Sequence, residues 1–299
     1  MLTTTEQDYR KRILRVLVYI QNHLDEALPL EDLARVAYFS PYHFHRVFRG
    51  MVGESVKEHV RRLRLERAAL RLKNGDQAVT RIALDAGYET HESFTRAFSA
   101  MFGRPPSRFR ASRRAVRLRA APSGVHFVPG GNVTSFRPTQ TVGDRPMDVR
   151  IETFAPRRVA FVRHIGPYRQ VGRAWEKLAA WAGPRGLFGP GTLAIGVGHD
   201  DPDVTPSDKL RYDACITVDG SFTPEGEVGL QEVGGGEYAT FTHRGPYENV
   251  SQTLARFCGE WLPASGRELR SAPCLSLFRN SPEATPPEDL LTDIYMPLE

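Results

Sequence analysis

The chain has 299 residues, 40% hydrophobic and 25% charged, which suits two ordinary domains and excludes a disordered chain. Its net charge of +5 is uneven: residues 1–119 hold 23 Lys/Arg against 13 Asp/Glu, and the remainder 17 against 22. A basic first part and an acidic second part point to a polyanionic partner for the first part alone. Cys215, Cys258 and Cys274 are odd in number and widely spaced, which excludes a disulfide framework and zinc-finger spacing. No metal site and no cofactor are implied. No run approaches 18 apolar residues and the first residues carry no apolar signal core, so a soluble, cytoplasmic protein is expected, with no membrane partner.

Ile13, Leu17, Ile20 and Leu24 predict a core-packing helix over Asp8–Glu26. After Pro29, Leu30, Leu33, Ala34 and Ala37 fall at i, i+3, i+4 and i+7, the apolar face of a short helix. Ser40 can cap the next helix, with Pro41 at its first position. That helix turns Phe44, Val47 and Phe48 inward and Tyr42, His45, Arg46 and Arg49 outward.

The pattern then recurs. Val79, Ile82, Ala83 and Ala86 repeat the short helix, Gly87-Tyr88 break it, and Thr90 can cap a second helix. There Phe94, Ala97, Phe98, Met101 and Phe102 line one side, with His91, Glu92, Thr95, Arg96 and Ser99 on the other. Gly103 and Pro105-Pro106 end it. Phe44, Arg46 and Phe48 match Phe94, Arg96 and Phe98 at an offset of 50. Between the two units, Ser55 and Glu58 form a capping box opening a helix over Ser55–Lys73, about 28 Å long. A rod of that length can set two recognition helices in successive major grooves, about 34 Å apart. Its Arg61, Arg62, Arg64, Arg67 and Arg71 are candidates either for phosphate contact or for a solvated helix face.

These two helix-turn-helix units, and the ending Gly103–Arg110 (GRPPSRFR), resemble the AraC/XylS-type DNA-binding domain over residues 8–112. The resemblance implies double-stranded DNA as partner. It places Tyr42, His45 and Arg46 of the first recognition helix, and His91, Glu92, Thr95 and Arg96 of the second, at base-facing positions. The chemistry agrees, since Arg pairs with guanine, a carboxylate accepts from cytosine and a Thr methyl meets thymine. Ser40 and Thr90 at the helix starts are candidates for phosphate contacts, and Arg49 joins the DNA-binding set.

Residues 113–146 open basic and turn rich in Pro, Gly, Ser and Thr; they read as a linker, with a short strand-like alternation at Val125–Val128. Beyond it, strand-like runs surround helix-like runs in two copies. His164-x-Gly-Pro-Tyr168 and His243-x-Gly-Pro-Tyr247 lie 79 residues apart. Two strand–helix–strand–strand repeats predict an antiparallel sheet with two helices, an α+β domain behind an all-α one. The Gly-Pro pair turns strand into helix; two such turns would also bring Tyr168 and Tyr247 to related places around a shared groove.

Residues 147–299 resemble the GyrI-like effector-binding domain, on the paired HxGPY motifs, Leu210–Val218, Glu260–Pro263 and Asn280–Leu298. The resemblance implies a small amphipathic ligand, and Tyr168, Trp175, Tyr212, Tyr247, Ser276 and Phe278 are its candidate contacts. Where that family carries Glu and Tyr in a stretch like P-x-L-E-I-Y, this chain has Ser276 and Phe278. Losing the carboxylate removes both the partner for a cationic ligand and the acid/base pair for hydrolysis. Asp213 and Glu237 are possible substitutes; Cys215 and Cys274 read as strand core residues. The expected function is a sequence-specific transcription regulator answering to a small-molecule effector, with RNA polymerase a further possible partner, and not an enzyme. The alternatives are a small-molecule hydrolase and a drug-sequestering or protein-partner module.

Overall fold

The computed structural model describes residues 3–112, 115–139, 146–202, 204–219 and 224–299, with Tyr42 described in its backbone only. The chain divides into two compact units, Met1–Gln140 and Thr141–Glu299.

The first unit contains seven helices among its described residues: α1 (Thr4–Asn22), α2 (Leu30–Ala37), α3 (Pro41–Val52), α4 (Val56–Asn74), α5 (Val79–Asp85), α6 (His91–Phe102) and α7 (Pro106–Ala111). α1 starts a turn before the expected Asp8, because the Thr3 hydroxyl accepts from the Glu6 N–H and satisfies one of the first free donors. The other expected punctuation holds. Ser40 caps α3, Thr90 caps α6, and Ser55 with Glu58 forms a reciprocal capping box on α4. Gly53 and Gly103 close α3 and α6 at φ 80° and 74°, a conformation that costs glycine no steric strain. Ile13, Leu17, Leu33, Phe44 and Phe48 are buried in the first half. Ile82, Phe94, Phe98 and Phe109 build the second, where the Phe98 ring lies 4.6–5.5 Å from Phe94, Phe102 and Phe109.

Residues 115–139, expected as linker, instead dock on the helices. The Glu66 carboxylate is fully buried and must be satisfied there. It accepts from the Phe127 N–H at 2.8 Å and from Arg62 at 3.0 Å, and lies 3.0 Å from His126 Nδ1. Gln21 donates to the His126 carbonyl, the Thr139 N–H to the Met51 carbonyl, and Val125 and Ser123 are buried. Val125–Val128 forms no strand; its backbone is taken up by these side-chain bonds.

The second unit is one eight-stranded antiparallel sheet in the order β1-β6-β8-β7-β3-β4-β2-β5. The strands are β1 (Arg150–Thr153), β2 (Arg157–Ile165), β3 (Ala194–Gly198), β4 (Arg211–Thr217), β5 (Val228–Val233), β6 (Glu237–Arg244), β7 (Cys274–Phe278) and β8 (Leu291–Pro297). α8 (Gly172–Ala182) follows β2. α9 (Val250–Arg256) follows β6 and runs through a π turn at Phe257–Trp261 into α10 (Leu262–Ser265). Each expected strand–helix–strand–strand repeat thus carries an additional leading strand, β1 or β5. The leading strands cross over: β1 pairs with β6 of the other repeat, and β5 with β2. The order reads the same from either end when the repeats are exchanged, and β3 pairs with β7 at the centre.

Two helix-turn-helix units and a run of aromatic rings

The two recognition-type helices differ in exposure. On α6, His91, Glu92 and Arg96 are exposed and Thr95 is half-buried, as the amphipathic pattern requires. On α3 the expected outward placement of His45 and Arg46 is not observed. His45 is 2% and Arg46 9% exposed, and His43 and Gly50 on the same helix are buried too. Both residues are engaged by other groups of the chain, and Arg49 is half-buried. Of Tyr42, whose side chain lies outside the described residues, only the backbone is placed. The Ser40 and Thr90 hydroxyls are occupied as caps, accepting from the His43 and Ser93 N–H groups at 3.4 and 3.1 Å.

The α4 arginines are mostly bound within the unit rather than spread on an open face. Arg62 joins Glu54 and Glu66. Arg64 donates to the Leu24 and Glu26 carbonyls, Arg67 to Asp25 and the Asp85 carbonyl, and Arg71 to the Asp85 carboxylate. Arg61 is exposed.

In the second unit the two HxGPY turns have the same construction. Gly166 and Gly245 take φ of 136° and 124°, donating to the Leu210 and Leu290 carbonyls. His164 Nε2 and His243 Nε2 each lie 3.1 Å from the carbonyl of the proline three residues on. Tyr168 and Tyr247 then open a single 3-10 turn ahead of the helix. The motif is a turn staple first. The Tyr168 hydroxyl also serves the fold: it donates to the Asp200 and Arg211 carbonyls and accepts from the Asp200 N–H.

Five of the six expected groove residues form one run of edge-on ring contacts. Tyr168 meets Tyr212 at 5.9 Å, Trp175 meets Phe278 at 5.5 Å, and Phe278 meets Tyr247 at 5.4 Å. Trp175 Nε1 donates to the Tyr212 hydroxyl at 3.3 Å and closes the run. Trp175 and Tyr212 belong to the first repeat, Phe278 and Tyr247 to the second, so the contacts cross the pseudo-twofold. Ser276 lies two residues before Phe278 on β7, on the same face, directly opposite Gly196 of β3. Gly196 is the residue that motif reading passed over. A Cβ there would lie 2.2 Å from the Tyr212 hydroxyl, so the ring crosses the sheet only because the position is glycine. A glycine inside a strand-like run was the available signal.

Neither suggested replacement carboxylate joins this run of rings. Asp213 neighbours Tyr212 along β4 and therefore points to the opposite face, where Arg163, His199 and Gln231 bind it. Those bonds outweigh the upward push of burial and hold its carboxyl well below the usual range. Glu237 pairs with Arg267 at the start of β6. Burial pushes the Tyr212 hydroxyl well above its ordinary value, so it is a neutral donor and acceptor. None of the three cysteines is in a disulfide and all are buried, and burial also raises the Cys215 thiol, which removes thiolate character. Among the described residues no cluster of His, Cys, Asp and Glu could hold a metal ion, and no helix is long and apolar enough to cross a membrane.

Residues 147–299 match the family model of the GyrI-like small molecule binding domain, and residues 33–112 a helix-turn-helix domain model. The chain belongs to the GyrI-like family. Ahead of its GyrI-like domain it carries a helix-turn-helix domain of AraC type. It is 32% identical over 155 residues to the probable transcriptional regulator YgiV of Escherichia coli, covering 51% of this chain and 96% of that one. It is 23% identical over 255 residues to the E. coli right origin-binding protein, covering 83% of each. To an uncharacterized HTH-type regulator, YbfP of Bacillus subtilis, it is 39% identical over 102 residues, which span 34% of this chain and 35% of that one.

Proposed function

We propose that this two-domain regulator reads DNA with α6 and α3 and changes that binding when a neutral aromatic molecule enters the groove of its GyrI-like domain. The chain is a transcription regulator, a helix-turn-helix DNA-binding domain joined to a small-molecule-binding one. The basic balance of residues 1–119 supplies phosphate attraction, and the exposed His91, Glu92 and Arg96 are suited to base edges. Reading by α3 requires its polar face to open, since Arg46 is 9% exposed. Ligand and DNA are coupled only through states that bind them unequally. Contact with RNA polymerase belongs to the same proposal.

The observation that carries the ligand reading is Phe278. It packs against Trp175 of the first repeat and Tyr247 of its own, where a flat apolar guest would part the rings. With serine at 276 and a neutral Tyr212, the groove offers hydroxyls rather than a fixed negative charge. That favours an uncharged ligand and argues against the acid/base pair a hydrolase would use.

The test is a titration of the full chain with 2-naphthol and with benzyltrimethylammonium, read by tryptophan fluorescence and by affinity for a DNA site selected from a random pool. The neutral probe is expected to bind and to shift DNA affinity. Ser276→Glu is expected to move the preference toward the cation by about tenfold, the scale of one partly desolvated charge pair. An unchanged ratio would place Ser276 outside the ligand site. Turnover of a probe would favour the hydrolase reading, and binding without any effect on DNA the sequestration reading.

A further inference from the structure

A stripe on α4 ties both helix-turn-helix units to one rod. Arg64, Arg67 and Arg71 fall at i, i+3 and i+7, one side of the helix. On the first unit they reach the segment between α1 and α2. Arg64 donates to the Leu24 carbonyl at 2.9 Å and the Glu26 carbonyl at 2.7 Å, and Arg67 meets the Asp25 carboxylate at 2.7 Å. On the second unit they reach the end of α5. Arg67 donates to the Asp85 carbonyl at 2.8 Å, and Arg71 meets the Asp85 carboxylate at the same distance. The Arg64 guanidinium also lies over the turn that leads into α6, since a Cβ on Gly87 would sit 2.6 Å from its Nη1.

Arg67 is the residue that touches both the α1–α2 segment and the end of α5, and it is 7% exposed. Its charge is compensated by one exposed carboxylate and one carbonyl. An open cleft of about 510 Å³ lies beside it, lined by Asp25, Arg64, Arg71 and Asp85 among others. The guanidinium bridges thus tie the two segments to each other directly, beside the apolar packing of α5 and α6 on α4.

We propose that Arg67, with Arg64 and Arg71 beside it, sets the spacing of the two DNA sub-sites that this chain accepts. It is a positioning residue that makes no contact with DNA. The inference rests on the reading that α3 and α6 each engage a sub-site. α6 is held on α4 by the packing of Phe94 and Phe98 with Leu65, Ala68, Ala69 and Leu72, and Arg64 lies over the Gly87 turn (φ 79°) that leads into it. The Arg67 and Arg71 bridges add to that packing a direct tie between Asp85 and the Leu24–Glu26 segment. One added base pair moves a sub-site by about 3.4 Å and turns it by roughly 34°, which a clamped pair of units cannot follow.

The experiment uses the full chain and a site selected from a random pool, remade with one base pair added or removed between its two sub-sites. Wild type is expected to lose about tenfold or more on each altered spacing, the scale of a mismatched base pair. Arg67→Met is expected to bind the original site several-fold more weakly while its ratio between original and altered spacings shrinks. Its salt slope should equal that of wild type, whereas loss of a phosphate contact lowers the slope by about one. Asp25→Ala, which leaves the buried half of the bridge intact, is expected to shift the ratio the same way by less.

Equal losses on all spacings for both variants, or a reduced salt slope, would overturn the clamp and leave the DNA reading standing. Wild type binding every spacing equally would overturn the two-sub-site reading itself, and the clamp with it.

Discussion

α3 and α6 are copies of one design with different exposure. Both follow a short helix of the same apolar pattern, both are hydroxyl-capped, and both end on a left-handed glycine. Phe44 and Phe48 are buried as completely as Phe94 and Phe98. Yet Arg96 is exposed where its counterpart Arg46 is buried. Helical periodicity decides which side enters the helix's own core. It says nothing of whether the other side stays open, which depends on the rest of the fold. On the proposed reading, α6 already presents its polar side to DNA, whereas the polar side of α3 is buried in the form described.

The largest effect expected from breaking this pair is on DNA. Arg96→Ala should cost about 1–3 kcal/mol on the preferred site and relax the choice at one base position, seen by titrating matched and mismatched duplexes. Arg46→Ala should cost less than Arg96→Ala. Arg46 gives up partners in the free chain to meet a base, so truncation weakens both states and part of the loss cancels. A base-specific loss equal to that of Arg96→Ala, with an unchanged Tm, would show that α3 is already open in solution.

A smaller effect comes from the turns. Tyr38 occupies the left-handed conformation at φ 56°, at the position matching Gly87 by the 49-residue offset of the short helices. The side chain is exposed, with Arg15 over its ring at 4.8 Å. Left-handed strain in a residue with a Cβ is about 1–2 kcal/mol, against which glycine's added chain entropy is about 0.5–1 kcal/mol. Tyr38→Gly is therefore expected to leave Tm unchanged or raise it slightly. Gly87→Ala brings both the strain and a contact with Arg64, and should lower Tm clearly. Equal shifts in thermal melts of the two variants would mean that the two turns are not equivalent in energy.

Much of this was legible from residue spacing. The caps, the inward aromatics, the double unit and the turn role of the HxGPY motifs follow from local rules, and the structure keeps them. The groove residues were legible only as a set, because the 79-residue repeat says that Tyr168 and Tyr247 are related, not what each touches. The structure gives them different work, with the Tyr168 hydroxyl bound to backbone and Tyr247 resting on Phe278. What spacing could not reveal depends on long-range partners. Arg64, Arg67 and Arg71 read as a basic face until Leu24–Glu26 and Asp85 are placed beside them. Residues 115–139 read as a linker until Glu66 is seen to need their N–H groups. The alternation at Val149 and Ile151 announces β1, but its pairing with the opposite repeat, and β5 altogether, lie outside what spacing within one repeat can show.

The two helix-turn-helix units should also part under acid. After the α3 glycine comes Glu54; at the matching position after α6 stands Arg104. Glu54 is bound by His59 at 2.8 Å and by Arg62, and His59 is fully buried. Burial alone would raise the Glu54 carboxyl, but the hydrogen bonds from His59 and Arg62 prevail and lower it from 4.5 to about 2. A folded value below the unfolded one means stability that is present above about pH 4.5 and lost as pH falls toward 2. His59 acts in the same sense: burial lowers its value, so the unfolded chain takes up a proton more readily as pH falls. In the second unit phenylalanine contacts, indifferent to pH, fill the comparable space between α6 and α7. Native-state hydrogen exchange of the full chain from pH 7 to 3 should therefore show α3 and α4 losing protection before α6 and α7. Glu54→Gln should bring the two profiles closer, because its amide leaves only His59 to protonate in that cluster. If α6 and α7 opened first, the ion cluster would not be what distinguishes the units, and the difference would have to come from their packing.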